Sequence, residues 1–152
     1  MIPREHIGKR VGGGNLSPEL TWSPLPAEAT KLLLVVKDLD VPTSMLTVHC
    51  LAPINPSRLD NPNHLPAGAL SGREPAAGVQ ILRSTITRGY HGPEPLKGHG
   101  PHRYTFQLFA LSGEKRSTID VEKLGQARPS TLLSSLTAPV VARDQLTGIH
   151  ER

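Results

Sequence analysis

Glycine and proline interrupt this chain so often that long helices have little room. The sequence holds 14 Gly and 15 Pro among 152 residues, and both residue types weaken or break helix interiors. Short apolar or alternating stretches remain between the interruptions, and these are typical of strands joined by ordered loops. We therefore predict a mainly β fold, a sandwich or barrel, with residues 1–152 forming a single domain.

Several stretches have the length and pattern of strands. Leu32–Val36 is an apolar run between two lysines, which predicts a strand buried on both faces rather than a helix. Tyr104–Leu111 alternates most clearly, with Phe106, Leu108 and Ala110 on one face. The predicted strands lie at about residues 31–37, 46–52, 79–88, 104–111 and 145–149.

Two further segments have other patterns. Residues 129–136 can form a short amphipathic helix, so we expect one or two short helices near the C-terminus. Residues 53–78 are rich in Pro, Asn, Ala and Gly without a clear period. They are predicted to form a long connection over the surface.

The charge and the aromatic content narrow the class of ligand. The formal net charge is +4, with no dense basic run, and the only aromatic residues are one Trp, two Tyr and two Phe. Few side chains are therefore available for base stacking, which argues against nucleic-acid binding. A small anionic ligand suits this charge better.

Cys50 is the only cysteine, so it cannot form an internal disulfide. Because it lies in a predicted strand next to Leu51, we interpret it as a core residue rather than a nucleophile. The first residues lack the pattern of a secretion signal, and no apolar run approaches the length of a transmembrane helix. We expect a cytoplasmic protein without a transmembrane segment.

Two acidic residues follow the first long strand. Asp38 and Asp40 are two apart, so in an extended backbone both carboxylates point the same way. His49 lies in the middle of the next strand, and adjacent strands can bring an imidazole within hydrogen-bond reach of a carboxylate. The alternatives are a solvated Asp-x-Asp-x-Pro turn and a structural histidine with internal partners.

The segment GYHGPEPLKGHGPHRY, residues 89–104, is the second candidate for a site. Its histidines, His91, His99 and His102, lack the spacing of metal ligands, so we predict no metal. Its glycines allow backbone N–H groups to approach an anion; they are Gly92, Gly98 and Gly100. His102 and Tyr104 supply side-chain donors, and Arg103 is expected to point to the opposite face.

These residues, taken in order, resemble the phosphatidylethanolamine-binding protein (PEBP) family, in its short bacterial, archaeal and fungal Raf-kinase-inhibitor-like branch. The resemblance covers essentially the full chain. It rests on Asn15-Leu16-Ser17-Pro18-x-Leu20-x-Trp22, Asp38-x-Asp40-x-Pro42, His49, Gly-x-Gly-Pro-His102-Arg103-Tyr104 and Ala142-Arg143-x-x-Leu146-x-Gly148-x-x-x-Arg152.

The resemblance implies a β-sandwich with a small, preformed anion pocket at one end. An aspartate facing His49 would fix its tautomer there, and the Val41–Pro42 peptide bond would be cis. The implied ligand-binding residues are Asp38, Asp40, His49, Gly92, Glu94, Gly100, His102 and Tyr104, with Asp40 in a supporting role and the Gly92–Gly100 loop as a wall.

Departures from the family pattern affect the pocket. Leu39 and Leu96 each replace a usual proline, and Glu94 stands where a small residue is usual, so that it can close or recharge the pocket. Thr47-Val48 replaces the tryptophan that often precedes the pocket histidine. Ile2-Pro3 corresponds to a point inside the usual family sequence, which implies that the first strand is absent or replaced.

Two functions of different classes follow. The first is a non-catalytic protein that binds a phosphate, another anion or a head group and has a regulatory or inhibitory role, with a protein partner or a homodimer as further expectations. The alternative is a cofactor-independent lyase or isomerase that dehydrates, isomerises or cyclises a small metabolite. Its acid–base residues would be Asp38, His49, Glu94 and His102. A structural protein with a vestigial pocket is the third reading.

Overall fold

The fold is built from two antiparallel β-sheets. The computed structural model describes residues 1–42, 47–113 and 139–152. The strands are β1 (Leu20–Thr21), β2 (Ala29–Asp38), β3 (Thr47–Ile54), β4 (His64–Leu65), β5 (His102–Ser112) and β6 (Val140–His150). Short 3-10 turns occupy Arg4–His6, Lys9–Val11 and Pro56–Arg58. The mainly β prediction is confirmed.

Strand β2 is central because both of its faces are apolar. The larger sheet has the order β3-β2-β5-β6, and β1 pairs with β4 in a two-stranded sheet. Leu32, Leu34 and Val36 face the main core, which includes Leu65 of the small sheet. The alternate residues Leu33 and Val35 pack in a second cluster on the opposite face. The predicted strand buried on both faces is therefore confirmed.

Strand β5 has the predicted alternation. Phe106 and Ala110 are buried in the main core, with Leu108 packed against it. Leu111 belongs to the second cluster, and Phe109 packs there. Since β5 pairs with β2 along nearly its full length, this register brings His102 and Tyr104 to the end of β2.

The predicted strand at 79–88 is wrong. Only isolated bridges occur there, Ile54 with Val79 and Arg83 with Arg88. The segment runs antiparallel to β3, and its N–H groups at 80, 82 and 85 donate to β3 carbonyls at 53, 51 and 48. The N–H groups of β3 donate too few hydrogen bonds to this segment to form a regular ladder, so the segment is an irregular edge of the sheet.

The segment 53–78 is more structured than predicted. It contains the Pro56–Arg58 turn and strand β4, and the side chains of Leu65, Ala69 and Leu70 are buried in the main core. Residues 53–78 therefore cover one face of the larger sheet, because their apolar side chains pack into the main core.

Several other predictions concern single features. The helix expected at 129–136 lies outside the described residues. Cys50 is fully buried, and burial raises the pKa of its thiol to about 12, which confirms a core role. None of the helices in the described ranges is long and apolar enough to cross a membrane. The absence of a usual first strand stays a prediction.

Candidate functional site

Asp38 and His102 form a buried pair where β2 and β5 meet. Nδ1 of His102 donates to Oδ2 of Asp38 at 2.8 Å, and both side chains are 4% exposed. Because the carboxylate can only accept, the proton on this side of the ring is fixed at Nδ1. Nε2 makes no hydrogen bond to the protein in the described part of the chain.

His49, in β3, has a different partner. Its Nδ1 donates to the backbone carbonyl of His91 at 2.8 Å, which fixes the tautomer in the same sense. Burial is the main cause that lowers the pKa of His49, while the bond to His91 opposes the shift. Nε2 of His49 likewise lacks a protein partner within the described ranges.

Tyr104 lies next to each of the two imidazole rings. Its ring centroid is 5.2 Å from that of His49, in an edge-on arrangement, and 6.3 Å from that of His102. Tyr104 is 1% exposed, and its hydroxyl makes no hydrogen bond of good geometry among the described residues, although the Asp38 carboxylate is close enough to interact with it. Burial, and then the neighbouring Asp38 carboxylate, raise the pKa of Tyr104, so the hydroxyl keeps its proton and remains a donor.

The predicted partner of Asp38 was wrong. The sequence led us to expect an aspartate facing His49, whereas Asp38 bonds to His102 and His49 bonds to a carbonyl. Strand β2 has a neighbour on each side, and Asp38 stands opposite Tyr104 of β5 and Thr47 of β3. The carboxylate of Asp38 turns toward β5.

Asp40 does not point the same way as Asp38. Asp38 Oδ1 accepts the N–H of Asp40 at 2.9 Å, which bends the chain out of the extended form that alternation requires. The Asp40 carboxylate instead accepts from Nε, Nη2 and the backbone N–H of Arg103 at 2.9, 2.7 and 2.8 Å. These bonds lower the pKa of Asp40 to about 2. Asp40 therefore fastens the end of β2 to β5 on the outside.

The other loop residues lie apart from the buried cluster. Leu39 and Leu96 are exposed, so the two proline replacements are on the surface. There is no cis peptide bond in the described residues, which include Val41 and Pro42. The expectation of a cis bond there, which came from family analogy, is wrong.

The glycines of the 92–100 loop do not form the expected nest of free N–H groups. Gly92 donates to Oδ1 of Asn15 at 2.7 Å, and Gly98 donates to the carbonyl of Arg152 at 3.2 Å. A Cβ at position 92 would lie 2.5 Å from the His6 carbonyl oxygen. Gly92 is required because the N-terminal segment packs against it, whereas Gly100 has a positive φ of 77° in open space and serves a turn.

Glu94 joins the wall of the site to the N-terminal segment. Its Oε1 accepts the N–H of Arg10 at 3.0 Å, and its Oε2 lies 3.9 Å from Arg10 Nε and 3.4 Å from His91 Nε2. The side chain is 12% exposed. Glu94 therefore has basic partners on both sides and adds no unpaired charge to the cluster.

Sequence reasoning missed two parts of the site. His91 was considered only as a metal ligand, whereas its carbonyl orients His49 and its ring centroid is 5.9 Å from that of His49. The N-terminal segment was also missed, although Tyr90 Oη donates to the His6 carbonyl at 2.8 Å. The His-x-x-Glu spacing of 91 and 94 was the one available signal for this wall.

Comparisons with known proteins agree with this fold. A protein of Methanothermobacter thermautotrophicus named UPF0098 protein is 32% identical over 92% of this chain and 85% of its own length. Escherichia coli YbcL is 34% identical over 99% of this chain and 80% of its own length. The crystal structure of YbcL, described as a new member of the mammalian PEBP family, superposes with a TM-score of 0.82 at 27% identity. It covers 100% of this chain and 91% of YbcL.

A fungal relative has a more specific name. Phomoidride biosynthesis cluster protein B of Talaromyces stipitatus is 30% identical over 82% of this chain, which spans 51% of that protein. The sequence model described as "Phosphatidylethanolamine-binding protein" matches residues 1–151. The chain therefore belongs to the phosphatidylethanolamine-binding protein family.

Proposed function

We propose that this protein binds a small oxyanion, such as the phosphate of a head group, without chemically changing it. The binding site is the buried cluster of Asp38, His49, His102 and Tyr104. The phosphate-bearing lipid in the family's name supports this ligand class.

The poorly bonded hydroxyl of Tyr104 is the observation that carries the proposal. A buried hydroxyl without a well-aligned partner costs about 1–3 kcal/mol in proteins. Tyr104 is 1% exposed, and its hydroxyl makes no hydrogen bond of good geometry in the described ranges, with the Asp38 carboxylate as a nearby acceptor. An anion oxygen between the two imidazoles would accept this hydrogen and remove the cost.

His102 is the second contact. Its Nδ1 is held by the Asp38 carboxylate at 2.8 Å, which orients the ring. Nε2 is therefore the ring nitrogen of His102 that would contact the anion. A carboxylate behind one imidazole and a phenol beside it thus form a binding site for negative charge that needs no metal.

Titration of the protein with inorganic phosphate, followed by calorimetry, tests the proposal. We expect saturable one-site binding and unchanged phosphate. Tyr104→Phe should weaken binding roughly tenfold or more, because a hydrogen bond to a charged group contributes about 1.5–3 kcal/mol. His99→Asn is the control, since His99 is exposed in the same loop. Absence of binding, or equal binding by Tyr104→Phe, would contradict the proposal.

A second candidate function is acid–base catalysis on a small metabolite. The Asp38–His102 pair can hold and transfer a proton, and the neutral Nε2 of His49 can accept one. The relative named for a biosynthesis cluster favours this reading. Native mass spectrometry of the purified protein would identify a retained metabolite. Turnover of that metabolite by the wild type but not by folded His102→Gln would establish an enzyme.

A regulatory role, a protein partner, a homodimer and a cytoplasmic location stay predictions. Size-exclusion chromatography with light scattering tests the dimer, and cell fractionation tests the location.

A further inference from the structure

A groove on the main-core side of the larger sheet lies apart from the buried cluster. Its volume is about 340 Å³, and its lining includes residues 19–22 and residues 144–146 of β6. None of the four residues of the buried cluster lines it. We propose that this groove is a separate binding site for a small organic ammonium ion with an apolar body.

Much of the groove is apolar. Leu34, Phe106 and Leu108 line it from the main core. Leu146 also lines it and is 58% exposed. Apolar surface that is left in contact with water inside a concave site favours a ligand with an apolar body, because binding removes that surface from water.

The charged side chains of the groove are acidic. Glu19 and Asp144 line it, whereas no lysine, arginine or histidine does so in the ranges that the structure describes. The chain as a whole has a formal net charge of +4. The charge of the groove is therefore opposite to that of the chain, which favours a cationic ligand there.

Both carboxylates retain an oxygen for a ligand. Asp144 Oδ1 accepts the N–H of Gln145 at 2.7 Å, and Asp144 has no ion-pair partner in the described part of the chain. Glu19 is 66% exposed, and its Oε1 accepts from Nε2 of His64 at 2.8 Å. An ammonium group in the groove can donate to the second oxygen of either side chain.

Two aromatic side chains complete the match. Trp22 and Phe106 both line the groove, and aromatic rings attract organic cations, tryptophan most strongly. An inorganic cation would use the carboxylates alone, and a neutral apolar molecule would use the apolar lining alone. An organic ammonium ion uses both.

Three probes with the same phenethyl body test the proposal. Phenethylammonium, phenethyl alcohol and phenylpropionate are a cation, a neutral molecule and an anion near pH 7. Trp22 is the only tryptophan of the chain, so the NMR resonance of its indole N–H reports on the groove. We expect the ammonium ion to shift this resonance saturably, with a Kd roughly tenfold below that of the alcohol. Phenylpropionate should bind most weakly.

Matched variants separate the charge of the groove from the charge of the chain. Glu19→Gln/Asp144→Asn removes both carboxylates, and the amide oxygens can still accept the same hydrogen bonds. The preference for the ammonium ion over the alcohol should then fall to roughly threefold or less, which is the aromatic contribution. The control Asp60→Asn/Glu151→Gln removes two exposed carboxylates outside the groove and should retain the wild-type preference.

Several outcomes would overturn the proposal. Equal affinities for the three probes would show that apolar surface alone explains the binding. A preference retained in Glu19→Gln/Asp144→Asn, or lost equally in the control, would show that the groove carboxylates do not hold the cation. An indole resonance that no probe shifts would show that the groove does not bind these molecules. Should the double variant fail to fold, the order of the three probes on the wild type still decides.

Discussion

Removing the hydroxyl of Tyr104 should stabilise the ligand-free protein, whereas removing that of Tyr90 should destabilise it. Both rings are buried, and each substitution to Phe deletes one oxygen atom. Tyr104 Oη makes no hydrogen bond of good geometry in the described ranges, with the Asp38 carboxylate nearby, while Tyr90 Oη donates to the His6 carbonyl at 2.8 Å. The pair is therefore a matched comparison of an unsatisfied hydroxyl with a satisfied one.

The expected magnitudes follow from these contacts. Relieving an unsatisfied buried hydroxyl gains about 1–3 kcal/mol in the free energy of unfolding, and water bound to the hydroxyl reduces the gain toward zero. Loss of the Tyr90 bond costs about 0.5–1.5 kcal/mol. Each kcal/mol corresponds to a shift of about 2–4 °C in Tm for a chain of this size.

Urea unfolding in a phosphate-free and sulfate-free buffer measures both variants. Equal m-values would show that the two free energies of unfolding are comparable. At phosphate near 100 Kd the wild type gains about 2.7 kcal/mol, and Tyr104→Phe, if its Kd is tenfold weaker, gains only about 1.4 kcal/mol, so the difference in stability between the two should change by about 1.3 kcal/mol in favour of the wild type. A Tyr104→Phe variant less stable than the wild type by more than about 1 kcal/mol, without ligand, would refute the reasoning.

Three further predictions concern residues outside the cluster. The pKa of Asp40 is lowered from 3.8 to about 2. Its ion pair with Arg103 therefore stabilises the fold above pH 3.8, and this stabilisation is lost as the pH falls toward 2. In acid titrations, the difference in free energy of unfolding between wild type and Asp40→Asn should shrink over that interval. Cys50, with a pKa of about 12, should not react with a thiol reagent at pH 8 until denaturant is added, and rapid labelling in native buffer would contradict its burial. Gly92→Ala should lower stability by about 1–3 kcal/mol in urea unfolding, because its Cβ would lie 2.5 Å from the His6 carbonyl oxygen; an unchanged midpoint would show that the N-terminal segment does not pack there.

The sequence predicted those parts of the fold that depend on side-chain pattern. The apolar run Leu32–Val36 indicated the central strand, and the alternation after Tyr104 indicated its neighbour. His102 and Tyr104 also followed from sequence, because their spacing of two places both side chains on one face of β5. Family resemblance then indicated the sandwich.

The pairing inside the site could not be predicted, because it depends on backbone geometry. Whether Asp38 turns toward β3 or β5 depends on the bend that its own Oδ1 makes with the Asp40 N–H. The group that orients His49 is a main-chain carbonyl, and every residue has one. The edge at 79–88 contains strand-forming residues, but the sequence does not reveal how many hydrogen bonds β3 donates to this segment.

The wall of the site joins parts of the chain that are synthesised far apart in time. Asn15 and Gly92 are 77 residues apart, and Arg10 and Glu94 are 84 apart. At about 5–20 residues per second, translation needs roughly 4 to 17 seconds to supply the second partner after the first. During that interval residues 6–15 have no loop to pack against, and closing so long a loop has a large entropic cost. The wall of the candidate site can therefore form only after β2 and β3 have been available to pair for several seconds.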